Sequence, residues 1–250
     1  MTDLRGGRLL LTGATSGLGP LLARALHAYG YRLVLSGRRE DALAPLAREL
    51  VGSETIVADL ARPDEVERLA REAGEIDVLV ANAGVGSRGD LLEMDVAGID
   101  ETIEVNLRAP LVLTRLVLEG MVARRRGQIV LMASMAGQAP GPGQIIYGPT
   151  KAGLRAFGFA LRNELRGTGV GVSLVSPFFV GEAGMFARTG AHAPGEVTPR
   201  QVNDAVLRAI RRNPAEVTVA PGWLRVARRV PGAFPEVMSV VPMRHPGRAG

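Results

Sequence analysis

Short apolar runs alternate along the chain with longer stretches whose apolar residues recur at helical spacing. The short runs are typical of strands buried on both faces, and the longer stretches are typical of helices that cover a sheet. The pattern predicts strands over residues 8–12, 32–36, 55–58, 77–81, 128–133, 171–175 and 216–219. It predicts helices over residues 18–29, 40–50, 63–73, 98–126, 147–166 and 199–212, with a bend expected at Pro110.

This strand–helix alternation predicts an α/β fold: a Rossmann-like, doubly wound parallel sheet of about seven strands with helices on both faces. We assign residues 1–220 to a single domain. Residues 221–250 mix apolar residues with arginine and form a C-terminal extension, which we expect to pack on the same domain. The alternatives are that the extension covers the substrate opening, joins a subunit interface or lies on a membrane surface.

Composition narrows the class of protein. The 250 residues carry a net charge of +5 and no cysteine, which excludes disulfides and thiolate metal sites. His27, His192 and His245 are isolated, so no metal is expected. The first residues lack a signal-peptide pattern, and no apolar run approaches the ~18–20 residues that span a bilayer. We therefore expect a cytoplasmic protein that is not integral to a membrane. The basic run 124–126 precedes Gly127, which favours a helix end over nucleic-acid binding.

A glycine-rich turn follows the first predicted strand and opens the first helix. Its spacing is G-x-x-x-G-x-G rather than G-x-G-x-x-G. Glycines at such a turn allow the backbone to approach a pyrophosphate, which the N–H groups of the helix then face. The position between strand and helix makes the motif far more specific than glycine spacing alone. The candidate nucleotide-binding residues here are Gly13, Thr15, Ser16, Gly17, Leu18 and Gly19.

The end of the second strand indicates which nucleotide would bind. An NAD site usually has an acid about 20 residues after the turn, whereas an arginine there accommodates a 2′-phosphate. Here the chain reads Arg38-Arg39-Glu40, and Arg38 is the better-placed cation with Arg39 beside it. Glu40 is expected to be an acid in the first turn of a helix rather than a ribose ligand. The sequence therefore predicts NADP (NADPH) in preference to NAD.

Lys151 is the single lysine of a chain that uses arginine for its other 29 basic side chains. It lies four residues after Tyr147, a spacing that places both side chains on one face of a helix. An ammonium is a compact charge that can stabilise a phenolate, so we expect Lys151 to lower the pKa of Tyr147. The alternative is a chance spacing in an arginine-biased chain.

Through these motifs and the residues that follow, the chain resembles the short-chain dehydrogenase/reductase family over about residues 9–220. The remaining residues that carry the resemblance are Asp59 and Leu60 after the third strand, Asn82, Ala83 and Gly84 after the fourth, Asn106 in the long helix, and Ser134 after the fifth. The resemblance implies that Asp59 holds the adenine. It implies that residues 82–84 support the sheet and contact the cofactor, and that residues 1–220 form a cofactor-binding and catalytic domain.

The resemblance also implies four catalytic roles. Tyr147 would be the general acid in reduction or the base in oxidation. Lys151 would lower the pKa of Tyr147 and hold the hydroxyls of the nicotinamide ribose. Ser134 would hydrogen-bond and orient the substrate oxygen. Asn106 would hold a water that links Lys151 to solvent.

The chain departs from the family after the sixth strand. Members usually have Pro-Gly there, followed by a threonine that contacts the nicotinamide amide. Here Phe178 follows Pro177, and Glu182 stands where the threonine is expected. Pro177 and Val180 are the cofactor-binding candidates in this segment, with backbone groups of Val180 available to the amide.

The function implied is an NADP(H)-dependent oxidoreductase that reduces a ketone or aldehyde, or oxidises the matching alcohol. A predicted lid over residues 182–197 contains Met185 and Phe186, which suggest an apolar substrate. The alternatives are a nucleotide-binding protein without turnover, with a regulatory or assembly role, and a membrane-surface reductase of lipid-like carbonyls. Family members are commonly homodimers or homotetramers, with the helices over 98–126 and 147–166 at the interface.

Overall fold

The computed structural model describes residues 4–86, 90–141, 143–181 and 195–227. Within these residues, seven strands form one parallel sheet in the order β3-β2-β1-β4-β5-β6-β7. The strands are β1 (Arg8–Thr12), β2 (Arg32–Gly37), β3 (Glu54–Val57), β4 (Val78–Ala81), β5 (Gly127–Met132), β6 (Val170–Pro177) and β7 (Glu216–Val219). The predicted doubly wound fold is confirmed.

Helices cover both faces of the sheet. They are α1 (Gly19–Ala28), α2 (Glu40–Glu49), α3 (Pro63–Ala73), α4 (Val96–Ile103), α5 (Ala109–Ala123), α6 (Tyr147–Glu164), α7 (Pro199–Arg212) and α8 (Gly222–Ala227). The predicted strands and most helices are found within one or two residues of these bounds, and β6 extends further at its carboxyl end.

Alternation along the strands divides the core in two. In β1, Leu9 and Leu11 join the apolar cluster that contains residues of α1, α2 and α7. Leu10, between them, joins the cluster that contains residues of α3, α5 and α6. Successive side chains of a strand point to opposite faces, so a run that is apolar at every position must be buried on both.

The predicted long helix over 98–126 is interrupted. A π-helical turn, Glu104–Arg108, separates α4 from α5, so the irregularity precedes Pro110 rather than centring on it. Pro110 lies in the first turn of α5 and has no N–H to donate to the carbonyl four residues earlier, that of Asn106. The prediction of one continuous helix bent at Pro110 is therefore wrong in detail.

The basic run at 124–126 ends a helix, as predicted. α5 finishes at Ala123, and Arg124 donates to the carbonyl oxygen of Ile76 at 3.0 Å. Arg126 pairs with Asp77, with 3.0 Å between Nε and Oδ1. These arginines tie the end of α5 to the segment before β4.

The C-terminal extension is described only through Ala227. Leu224 of α8 is fully buried in the core cluster of α1, α2 and α7. Residues 228–250, on which the membrane-surface alternative rested, lie outside the described residues, as do 182–194 of the predicted lid. In the part of the chain that is described, no helix has the length and apolar character needed to cross a bilayer.

Candidate active site

A cleft of about 610 Å³ opens at the carboxyl ends of the central strands. The strand order reverses between β1 and β4, and in open α/β sheets such a reversal creates the crevice where ligands bind. The cleft is lined by seventeen of the predicted site residues: Gly13, Thr15, Ser16, Gly17, Leu18, Arg38, Arg39, Asp59, Leu60, Asn82, Ala83, Gly84, Ser134, Tyr147, Lys151, Pro177 and Val180. Gly19 and Asn106 lie behind its wall.

Backbone conformation and close contacts explain why the turn requires glycine at residues 13, 17 and 19. Gly13 and Gly17 have φ of 67° and 57°, a left-handed conformation that side chains disfavour. A Cβ on Gly13 would lie 2.7 Å from Cα of Ala83, and one on Gly19 would overlap the carbonyl oxygen of Gly13. The turn therefore folds back on the first residue of α1, and residues 16–18, which immediately precede that helix, line the cleft.

The loop after β4 holds this turn in place. The hydroxyl oxygen of Thr12 accepts hydrogen bonds from the backbone N–H groups of Asn82 and Ala83, both at 3.1 Å. The side-chain amide of Asn82 donates to the carbonyls of Thr12 at 3.0 Å and of Gly13 at 3.3 Å. Asn82 and Ala83 thus support the glycine turn across the β1–β4 boundary.

Two cations line the rim near the end of β2. Arg38 forms an ion pair with Glu101 of α4, with 2.9 Å between Nη1 and Oε1. Arg39 donates to the carbonyl oxygen of Thr15, in the glycine turn. Glu40 is the first residue of α2, as predicted for an acid in the first helical turn.

Asp59 lies in the cleft wall after β3 and organises its own loop. Its carboxylate accepts from the N–H of Ala61 at 3.1 Å, and its N–H donates to Glu65 at 2.8 Å. The side chain is thereby oriented beside Leu60 at the edge of the cleft. Contact with an adenine stays a prediction.

Ser134, Tyr147 and Lys151 meet at the other end of the cleft. Ser134 follows β5, and its hydroxyl hydrogen-bonds Tyr147 and accepts from the N–H of Ala136 at 3.1 Å. Tyr147 begins α6, and Lys151 lies one turn later, with Nζ 5.8 Å from the centroid of the phenol ring. Nζ donates to the carbonyl oxygen of Met132 at 2.8 Å. The predicted i, i+4 pair therefore shares the buried face of α6.

The electrostatics of this pair correct one expectation. Burial raises the pKa of the Tyr147 phenol, and the hydrogen bond with Ser134 offsets part of that rise. Burial lowers the pKa of the Lys151 ammonium to about 8. The expectation that Lys151 lowers the pKa of Tyr147 is therefore wrong: the Tyr147 pKa is raised. Removal from water disfavours the charged form of both side chains.

Asn106 is fully buried in the π-helical turn and does not reach the cleft. Its side-chain oxygen accepts from the N–H of Val85 at 2.8 Å, and its amide donates to the carbonyl of Val85 at 2.8 Å. The amide also donates to the hydroxyl of Thr150 at 3.4 Å, next to Lys151. The side chain therefore joins the loop after β4 to α6, and a role in holding water stays a prediction.

Sequence reasoning missed two glycines that set the distance between α6 and the loop after Ser134 (residues 134–140), here called the serine loop. A Cβ on Gly137 would lie 2.6 Å from the carbonyl carbon of Lys151, and one on Gly148 would lie 2.5 Å from Cβ of Pro140. Both residues have ordinary backbone conformations, so only the close approach of two segments identifies them. This approach places Ser134 within hydrogen-bonding distance of Tyr147.

A buried carboxylate also supports the site from behind. Arg155, one turn after Lys151, donates to both oxygens of Glu216 at 3.0 Å. Glu216 also accepts from Gln138 of the serine loop at 3.0 Å and from Ser176 of β6 at 2.7 Å. The carboxylate therefore joins α6, β6 and the serine loop, although its residues are distant in sequence.

Phe178 is buried and lines the cleft at the place where the family usually has glycine. Its N–H donates to the carbonyl of Val219 at 2.8 Å, which fixes the segment against β7. Val180 pairs with Val197 in an isolated parallel bridge and also lines the cleft. Glu182 lies outside the described residues. The Phe178 ring packs edge-to-face against that of Phe179, with 5.2 Å between the ring centroids.

Among the residues the structure describes, no group of three or more histidine, cysteine, aspartate or glutamate side chains is arranged to hold a metal ion. Nε2 of His27 lies within hydrogen-bonding distance of the carbonyl oxygen of Val51, at 3.0 Å. His192 and His245 lie outside the described residues.

The family follows from comparison with known proteins. A family model described as short chain dehydrogenase matches residues 8–193, more than half of the chain. The chain is a short-chain dehydrogenase/reductase. Membership confirms the resemblance seen in the sequence and makes the protein an NAD(P)-dependent oxidoreductase.

Relatives of this short-chain dehydrogenase/reductase include enzymes named for carbonyl reduction. The ketoacyl reductase HetN of Nostoc sp. is 38% identical over 230 residues, which cover 88% of the chain and 80% of that protein. The 3-oxoacyl-(acyl-carrier-protein) reductase FabG of Rickettsia prowazekii is 36% identical over 181 residues, covering 72% and 75%. A short-chain dehydrogenase from Sphingobium yanoikuyae, solved in complex with NADPH, superposes with a TM-score of 0.81 at 31% identity, covering 94% and 96%.

Proposed function

We propose that this protein is an NADP(H)-dependent reductase of a ketone or aldehyde, acting reversibly on the matching alcohol, with Tyr147 as general acid or base. The observation that carries the proposal is the convergence of Ser134, Tyr147 and Lys151 at one end of a cleft whose other end is a glycine turn. A nucleotide laid along such a cleft has its pyrophosphate at the turn and its nicotinamide beside the phenol.

The residues present fit that cofactor. A side chain at Gly13 would clash with the backbone of Ala83, and one at Gly19 with the carbonyl oxygen of Gly13, so only glycines allow this tight turn. Residues 16–18, just before α1, line the cleft, where the N–H groups of the helix N-terminus would face a pyrophosphate. Arg38 and Arg39 would hold a 2′-phosphate. When bound, the nucleotide supplies the hydride, and the protein supplies position and electrostatics.

The proton would come from Tyr147. Because burial raises its pKa, the phenol is protonated at neutral pH, which is the form that reduction of a carbonyl needs. The hydroxyl of Ser134, already hydrogen-bonded to Tyr147, would orient the substrate oxygen. Lys151, protonated below its pKa of about 8, would stabilise negative charge that develops on the phenol.

The substrate is proposed to be apolar near its carbonyl. Phe178, Val180, Val85 and Met132 contribute to the lining of the cleft. HetN and FabG are named as ketoacyl and 3-oxoacyl reductases, which makes 3-oxoacyl thioesters the first class to test. Met185 and Phe186, which also suggested an apolar substrate, lie outside the described residues.

The test is NADPH oxidation by purified protein against 3-oxoacyl thioesters, simple ketones and aldehydes. Replacing Tyr147 by Phe removes one oxygen and should lower turnover at least about 100-fold, the usual contribution of a general acid, while NADPH still binds. Tyr29→Phe, which loses only a hydrogen bond from Arg5, is the matched control and should keep full activity. Turnover of Tyr147→Phe within 10-fold of the parent would exclude Tyr147 as the acid. Binding of NADPH without turnover of any substrate would favour the non-catalytic alternative.

The assembly and location of the protein are also proposals. A homodimer or homotetramer is supported by the partly exposed Ile103 and Leu116, on the helices expected at an interface. Sedimentation of the purified protein would measure the subunit number. The cytoplasmic location stays a prediction from the sequence.

A further inference from the structure

The cation best placed to select the cofactor is already paired within the protein. Arg38 lies after β2 on the wall of the cleft, and Glu101 reaches it from α4, 63 residues later. The atoms Nη1 and Oε1 are 2.9 Å apart, and the two side chains are 54% and 41% exposed. The pair therefore lies on the solvent-facing rim of the cleft.

This pairing has unequal consequences for the two nicotinamide nucleotides. A guanidinium has five N–H donors, so Arg38 could serve a phosphate and a carboxylate together. A 2′-phosphate on Arg38 would, however, lie near the Glu101 carboxylate, and the two anions would repel each other. An unphosphorylated ribose brings no such charge. Glu101 therefore opposes the binding of NADP(H) while leaving NAD(H) almost unaffected.

We propose that Glu101 is a specificity-determining residue that limits the preference for NADP(H) by competing for Arg38. This inference rests on the proposed function, in which Arg38 holds the 2′-phosphate. Arg39 would help to hold the phosphate while it donates to the carbonyl of Thr15 in the glycine turn, but Arg38 is the cation that Glu101 pairs with. The protein is then expected to retain measurable affinity for NAD(H), with Glu101 setting the ratio.

The experiment measures dissociation constants for NADPH and NADH by calorimetry at low ionic strength. The proteins are the parent, Glu101→Gln, Arg38→Ala and the double variant. The control is Glu119→Gln, which removes one carboxylate from another exposed arginine pair, on α5. Glu101→Gln should tighten NADPH binding about three- to five-fold, the upper range for an exposed ion pair, and change NADH binding less than about two-fold.

Two further results should accompany that shift. Once Arg38 is replaced by Ala, the Glu101 substitution should tighten NADPH less, because the competition for Arg38 is lost and only the repulsion between carboxylate and phosphate remains. Raising the salt to about 1 M should reduce the effect, since the screening length falls to about 3 Å. Glu119→Gln should leave both dissociation constants unchanged.

The outcomes separate this inference from the proposed function. If Glu101→Gln tightens both nucleotides equally, leaves NADPH binding unchanged or weakens it, the role of Glu101 is refuted, whatever Arg38→Ala does. If Arg38→Ala fails to weaken NADPH relative to NADH, the assignment of NADP(H) to Arg38 is itself refuted.

Discussion

The buried ammonium of Lys151 should make the protein more stable as the pH rises above neutrality. Lys151 is 3% exposed, and burial lowers its pKa from the ordinary 10.5 to about 8. Between these values the unfolded chain holds a proton that the folded protein has lost. Stability rises with pH wherever the unfolded state binds more protons, so the free energy of unfolding increases from about pH 8 towards pH 10.5.

The magnitude follows from the same two values. Holding the charged ammonium in the folded protein costs roughly 3 kcal/mol at pH 7, at about 1.4 kcal/mol for each pH unit between the two pKa values. By pH 9.5 roughly 2 kcal/mol of that cost should be gone. Lys151→Met removes this dependence. It also leaves the carbonyl of Met132 without the Nζ donor, a pH-independent loss of about 1–3 kcal/mol.

The assay is equilibrium urea unfolding of the parent and of Lys151→Met at pH 7 and pH 9.5. The parent should gain roughly 2 kcal/mol relative to the variant between the two pH values. Lys151 is the single lysine of the chain, so no other lysine contributes to the difference, and groups common to both proteins cancel. A gap between the two stabilities that stays constant within about 0.5 kcal/mol would refute the buried-ammonium argument. Catalytic activity of the variant should be lost at both pH values.

The remaining predictions concern the packing behind the proposed catalytic residues. Gly137→Ala would place a Cβ 2.6 Å from the carbonyl carbon of Lys151, so the serine loop must shift. We expect turnover to fall about 100-fold with little change in nucleotide affinity. The control is Gly222→Ala, where a Cβ meets nothing within 4 Å, and this variant should retain activity. Equal activities of the two variants would contradict the close-packing argument. Glu216→Gln should lower the free energy of unfolding by about 2–3 kcal/mol, because a bidentate guanidinium loses a mostly buried carboxylate. As the control, Glu119→Gln should change the free energy of unfolding by less than about 0.5 kcal/mol. An equally small change for Glu216→Gln would show that the hydrogen bonds of Glu216 add no stability.

Much of the fold was accessible from the sequence because its signals are local. An unbroken apolar run such as that of β1 indicates burial on both faces, and helical spacing placed Tyr147 and Lys151 on one side of α6. The prediction was wrong where the long helix is interrupted. The helix expected over 98–126 contains a π-helical turn, in which Asn106 bonds both backbone groups of Val85.

Residue type and spacing determined the elements, the position of the glycine turn and the candidates for proton transfer. These follow from backbone stereochemistry and side-chain periodicity over a few residues. Tertiary structure alone decided that Glu101 meets Arg38 and that Gly137 lies against the backbone at Lys151. It also decided that burial raises the pKa of Tyr147. The physical reason is that contacts and desolvation depend on segments far apart in the chain. Which residues meet, and in which direction a pKa shifts, are therefore decided only when the chain has folded.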